Sequence, residues 1–366
     1  MRKVLMGILV VGVLALAWGL LVVGAQDEEP TVEWTCPEGF AGQSLNIYNW
    51  ATYIDEAAIP RFEELCGVSV TYSVFGSNEE MITRLRQGNP GFDIVVPAGG
   101  SIPVMADSEL LMALDHSKLP NMTNLAERFI DPVYDPGNTY TIAYQWGTIG
   151  LAYRKSAVDG EVTGWEDVFA YDGNVAWLDD SRAMMGVGLL LLGLDPNTEN
   201  LEEIQAARDF LIENGQNVVR IAADDGQEML ARGEADIIVE YNGDVFQIIY
   251  DCECEDYAFV TPAEGTNYWV DNLAIPAGAP NPDLAHAFID YMLDPVVSAA
   301  NSNYIAYASP NQVAIDLGLI DEELLSNPFI YPTAEDQEKM FFILENPEIE
   351  QAYSDAWGEV SILIGE

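Results

Sequence analysis

The amino-acid sequence predicts an α/β protein built as two lobes. Three observations carry that expectation. Strands and helices alternate from residue 45 to residue 97, and the alternation restarts after residue 174. The chain past its N-terminal segment also runs to about 320 residues, beyond the roughly 250–300 at which a single core stops growing. Hydrophobic residues make up 49% and aromatics 10%, a composition that fills cores and excludes disorder for the body.

Leu45 to Trp50 alternates apolar and polar residues and predicts the first strand. Glu56 to Leu65 follows with Ile59, Phe62 and Leu65 at helical spacing. Val68 to Phe75 is a β-branched, alternating second strand. Ser77-Asn78-Glu79-Glu80 is a capping box that opens a helix through Arg86. Asp93 to Pro97 is a short apolar run suited to a buried parallel strand. In the second half, Asn174 to Leu178 and Ala235 to Tyr241 predict strands, and Ser181 opens a helix. Leu201 to Glu213 places Ile204, Ala207 and Leu211 on one helical face, and Asp224 to Arg232 is a further helix. Tyr268 to Pro276 predicts a strand that leads to a helix near Pro282 to Leu293. Each lobe is thus expected to hold a mainly parallel sheet flanked by helices.

The N-terminus has the order of a secretory signal. Arg2 and Lys3 precede an apolar run from Val4 to Val23, and Val23-Gly24-Ala25 supplies small residues for cleavage. Residues 1–25 are expected to be a signal peptide or, uncleaved, a membrane anchor. The acidic stretch 26–43 reads as a linker. The expected location is outside the cytoplasm, in the periplasm or at the cell surface.

Sixty acids against fourteen bases give a net charge of −46, which excludes nucleic acid as a partner. Such a surface either attracts cationic ligands or keeps an exported protein soluble in its habitat. Four cysteines in an exported chain are expected to pair. Cys36 lies before the first strand and Cys66 at the end of the first helix, so a bridge between them ties the mature N-terminus down. Cys252 and Cys254 are close enough for a tight local bridge or a pair of thiols. The spacing does not fit a metal site, and His116 and His286 are far from both pairs.

No dinucleotide turn, phosphate-cradling loop, zinc-protease motif or serine elbow occurs, so neither an enzyme nor a cofactor is expected. A secreted carboxylate-dependent hydrolase is the alternative from another class. What recurs instead is an aromatic beside an acid at strand ends, where open α/β sheets bind ligands. The set comprises Tyr48 to Tyr53, Asp179-Asp180, Tyr241 to Asp244, Trp269-Val270-Asp271 and Tyr307. Carboxylates with aromatic faces suit an alkylammonium, at ~0.5–2 kcal/mol per ring.

These residues, with Asp93 to Pro97, Ala143 to Gly147, Gly243 to Gln247, Asp271 to Pro276 and Tyr307-x-x-Pro310-Asn311, resemble the bacterial periplasmic spermidine/putrescine-binding proteins. The resemblance runs in family order over residues 44–360. It implies a two-lobed periplasmic binding protein fold with a ligand cleft between the lobes, 44–146 plus 272–310 forming one and 147–271 plus 311–366 the other. It also implies a monomer that hands a polyamine, or another small amine or amino-acid-like solute, to a membrane ABC permease. By position, Trp50, Tyr53, Tyr241, Trp269 and Tyr307 are its aromatic walls. Asp180, Asp244 and Asp271 are its ammonium-binding acids, and Glu345 matches a late polar ligand position. Thr52 and Ala183 stand where acids are common in the family, and Ala98 and Gly100 where Ser or Tyr is usual, so the exact amine stays open.

Overall fold

A computed structural model describes residues 31–223, 225–252 and 255–364. The signal segment 1–25 and the pairing expected at Cys252 and Cys254 lie outside the described residues. Ten strands form one mixed sheet: β1 (Ser44–Asn49), β2 (Ser69–Val74), β3 (Ile94–Val95), β4 (Thr141–Arg154), β5 (Val175–Leu178), β6 (Val218–Ala222), β7 (Ile237–Tyr241), β8 (Tyr257–Val260), β9 (Asn267–Ala274) and β10 (Phe341–Phe342). The order is β2-β1-β3-β9-β4-β7-β5-β6, with β10 on β9 and β8 on β4. Pairs β1–β2, β1–β3, β5–β6, β5–β7 and β9–β10 are parallel; β3–β9 and all pairs of β4 are antiparallel.

β4 joins the two halves. Its residues Thr141 to Thr148 pair with β9, and Ile149 to Tyr153 pair with β7. Thirteen of its fourteen residues are buried, as a strand covered on both faces must be. One core gathers Leu45, Ile47, Phe62, Ile94, Phe288 and Tyr291 under the first half-sheet. Another gathers Ile149, Leu151, Trp165, Trp177, Leu211 and Trp357 under the second. The fold is two-lobed, and the described residues from 32 onward pack as one compact unit. No helix among the described residues is long and apolar enough to cross a membrane.

The local signals act as their chemistry requires. The Ser77 hydroxyl accepts the Glu80 N–H at 3.2 Å and caps the helix Asn78–Arg86. The first helix, Ala58–Cys66, ends on Gly67 in the left-handed region at φ 66°, where the glycine N–H reaches Glu63 O. That helix buries Ala58, Phe62 and Cys66, not the expected Leu65, which is 42% exposed. Cys66, on that buried face, is bridged to Cys36, with a Cα–Cα distance of 5.3 Å. The stretch read as a linker is likewise not free chain over its second part. Trp34 is buried against Phe62 and Tyr291, and donates from its backbone N–H to Asp294 and from Nε1 to Asp290.

Candidate functional site

β1 lies second from one edge of the sheet, between β2 and β3, and the chain beyond it carries Trp50 to Tyr53. The Trp50 indole donates to Val96 O at 3.0 Å and packs on Phe75, with centroids 4.4 Å apart. Thr52 holds φ 47°, a left-handed conformation costly for a β-branched residue, about 1–3 kcal/mol. Tyr53 turns back into the fold, 5% exposed, between Tyr144, Tyr307 and Trp269 at 5.5, 5.4 and 6.5 Å. Its backbone carbonyl accepts the Tyr144 hydroxyl.

Trp269 and Asp271 lie on β9, opposite Gly147 and Gln145 of β4, and Asp271 also bridges to Ala98. Period two sends both side chains to one face. Trp269 meets Tyr241 nearly edge-on at 5.9 Å and Tyr307 at 5.1 Å. Two glycines make room for these rings. A Cβ on Gly147 would come within 2.6 Å of the Trp269 ring, and one on Gly243 within 2.4 Å of the Tyr307 ring. Asp180 caps the helix Ser181–Leu191, accepting the Ala183 N–H at 2.9 Å and the Tyr241 hydroxyl at 3.1 Å. Asp244 sits in the first turn of the helix Asn242–Cys252, beyond the end of β7.

Eight of the residues named from the sequence, Trp50, Tyr53, Asp180, Tyr241, Asp244, Trp269, Asp271 and Tyr307, line one cavity of about 120 Å³. Glu345 does not reach it. It lines an adjoining cavity of about 480 Å³ that shares Trp50, Asn78, Ala98, Asp180, Tyr241 and Trp269 with the first. Ala51, Thr52, Asn78, Ala98 and Gln227 complete the smaller cavity, and of these the sequence pattern does not single out Asn78 and Gln227. Asn78 accepts the Ala98 N–H at 3.0 Å. Its signal is its place at the start of a helix facing the strand ends.

Both cavities hold carboxylates that burial has made reluctant to ionise. Asp271, 8% exposed, is pushed up to about 7 by burial, and the nearby Tyr53 hydroxyl offsets this only in part. That hydroxyl approaches Asp271 without the alignment of a full hydrogen bond and has no other partner. The Trp269 indole N–H is likewise unpartnered. Burial also raises Asp180, against the pull of its Ala183 and Tyr241 hydrogen bonds. Glu345 is pushed up to about 7, chiefly by burial, then by the neighbouring charges of Glu350 and Glu79; the Ser101 hydroxyl and Arg182 pull the other way. Neither Asp271 nor Glu345 forms an ion pair among the described residues. A cation entering this space would supply the counter-charge that the protein withholds. No group of three or more potential metal ligands clusters among the described residues.

Residues 57–328 match the family described as bacterial extracellular solute-binding protein. The chain is 31% identical to the putrescine-binding periplasmic protein PotF of Escherichia coli K12 over 339 residues, 87% of this chain and 91% of that protein. It is 32% identical to the spermidine/putrescine-binding periplasmic protein of the same organism, over 80% of this chain and 84% of that one. Among solved structures, the spermidine/putrescine ABC transporter substrate-binding protein PotD of Streptococcus pneumoniae superposes with a TM-score of 0.77. That structure is 32% identical, over 88% of this chain and all of its own.

Proposed function

The chain belongs to the bacterial extracellular solute-binding protein family, and from that premise we propose that it captures a polyamine outside the cytoplasm for an ABC importer. It is a binding protein, not an enzyme. The observation that carries the ligand class is the small cavity in which Tyr53, Tyr241, Trp269 and Tyr307 surround Asp180, Asp244 and Asp271. An ammonium group donates charge-assisted hydrogen bonds to such carboxylates, and its methylene stem packs on ring faces.

The proposed mechanism is closure of the two lobes about the bound solute. Trp50 and Tyr53 lead from β1 in one half-sheet, while Asp180 and Tyr241 stand at the ends of β5 and β7 in the other. A ligand touching both sets favours the closed arrangement by its differential affinity. The proposed hinge is the point where β4 changes partners, near Thr148 and Ile149, close to the lobe boundary expected at residues 146 and 147. The protein is proposed to act as an exported monomer that docks on its permease.

Native mass spectrometry of the purified protein should show a co-purifying amine. Thermal shift with putrescine and spermidine should raise Tm, while turnover of chromogenic glycosides stays absent. A panel of polyamines that leaves Tm unmoved and binds at no measurable affinity overturns the ligand class.

A further inference from the structure

β4 changes partners within one residue. Thr148 is its last residue on β9, opposite Tyr268, and Ile149 its first on β7, opposite Tyr241. β7 stops at Tyr241 and β9 starts at Asn267, so at the crossing each edge of β4 runs past the end of a neighbour. β8 joins β4 only from Leu151 onward. Strand-to-strand bonds run out there, yet Thr148 and Ile149 are wholly buried, where an unmet backbone group is costly.

Two side chains complete the ladders. Asn242, the residue after β7, accepts the Thr148 N–H on Oδ1 at 3.2 Å. Thr266, the residue before β9, donates its hydroxyl to Ile149 O at 2.9 Å. Both are wholly buried. Asn242 also donates from Nδ2 to Phe329 O at 2.9 Å, which fixes the way its amide faces. A Cβ on Gly147 would stand 2.5 Å from Asn242 Oδ1, so glycine makes this approach possible. A backbone rung holds two strands in one register, whereas a side-chain rung carries rotatable bonds about which they can turn. Each rung also adjoins the small cavity. Asn242 lies between Tyr241 and Asp244 in the chain, and Thr266 precedes the strand that carries Trp269 and Asp271.

We propose that Asn242 and Thr266 are positioning residues of the hinge. Their side chains stand in for backbone rungs at the crossing and let the half-sheets turn there without baring a backbone group. They thereby set where Tyr241, Asp244, Trp269 and Asp271 stand when the cleft closes. The inference rests on the reading of lobe closure and names the residues that carry it.

The test combines calorimetry with putrescine, thermal unfolding, and small-angle X-ray scattering of the full chain with and without putrescine. The wild type should contract on saturation. Thr266→Val keeps the shape and removes only the hydroxyl. It should weaken putrescine binding by roughly tenfold, about the worth of one buried hydrogen bond, and reduce the contraction. Thr266→Ser keeps the hydroxyl and should restore both. Asn242→Ala should show the Thr266→Val pattern in larger degree, and Thr266→Val carries the test alone if that variant fails to fold. Asn217→Ala is the control: its side chain donates to Val168 O at 2.7 Å and Tyr171 O at 2.9 Å, before β6. It should lower Tm and leave affinity and contraction as in the wild type. A Thr266→Val variant that loses Tm but keeps full affinity and contraction overturns the inference and leaves the closure reading intact. A wild type that binds putrescine without contracting sinks that reading itself, and the inference with it.

Discussion

Replacing Asp271 by Asn should make the empty protein more stable and the binding protein useless. The carboxyl titrates at about 7 in the fold, against 3.8 for an ordinary aspartate. At 1.36 kcal/mol per pH unit, that difference makes ionised Asp271 cost the empty fold roughly 4 kcal/mol at pH 8. The folded state holds the extra proton, so the wild type is at its best with respect to this group below about pH 4. Its stability then declines as pH rises toward 7, after which the penalty is complete. The amide that replaces the carboxyl never ionises. The variant should match the wild type at pH 4 and exceed it at pH 8 by about 1–4 kcal/mol, relaxation reducing the upper figure. In a chain of this size that is a rise in Tm of several degrees. The same change removes the charge that meets the ammonium and should cost ~2–5 kcal/mol of amine affinity. Thermal unfolding at pH 4 and pH 8, with and without putrescine, reads both effects. A variant that is less stable than the wild type at pH 8, or that binds putrescine undiminished, would refute the view of Asp271 as a charge held in readiness for a cation.

Other consequences are simpler to test. Amine affinity should rise with pH through about 7, because a cation needs Asp271 and Glu345 ionised; calorimetry in buffers of different ionisation heat should detect proton release on binding. Trp269→Ala should weaken binding by about 1–3 kcal/mol with little change in Tm, and unchanged affinity would make the ring mere packing. Gly243→Ala should displace Tyr307 and lower affinity, and Tyr307→Leu in the same chain should recover part of the loss if the clash is the cause. Cys36→Ser opens a crosslink of sequence separation 30 and should cost roughly 3–4 kcal/mol; an unaltered denaturation midpoint would deny the bridge any part in stability.

Much of this is legible in the chain because it is written locally. Alternation over Leu45 to Trp50 and the Ser77 cap each specify a nearby backbone conformation. Eight of the nine candidate site residues can be named together because an aromatic and an acid recur beside strand ends, and the topology then brings them to one cavity. β4 carries no such mark. Its sequence, TIAYQWGTIGLAYR, is buried on both faces, so nothing alternates, and Gly147 and Gly150 interrupt any strand signal. Ser101 and Glu345 are separated by 244 residues, so no local pattern ties them. Leu65 misleads for a similar reason: helical spacing fits several faces of a short helix, and the face that the fold buries carries Ala58, Phe62 and Cys66.

Trp34 and Cys36 also determine how the protein would bear a mechanical load. Both anchor to the first half-sheet, one by its indole between Phe62 and Tyr291, the other by a covalent bond to the first helix. Tension arriving along the chain before residue 32 would pass through the Trp34 contacts and then into the disulfide. It would end in the helix Ala58–Cys66 before β1 was strained. The half-sheet of β5, β6 and β7 lies outside that path, so it could swing through a closing motion while the first half-sheet took the pull.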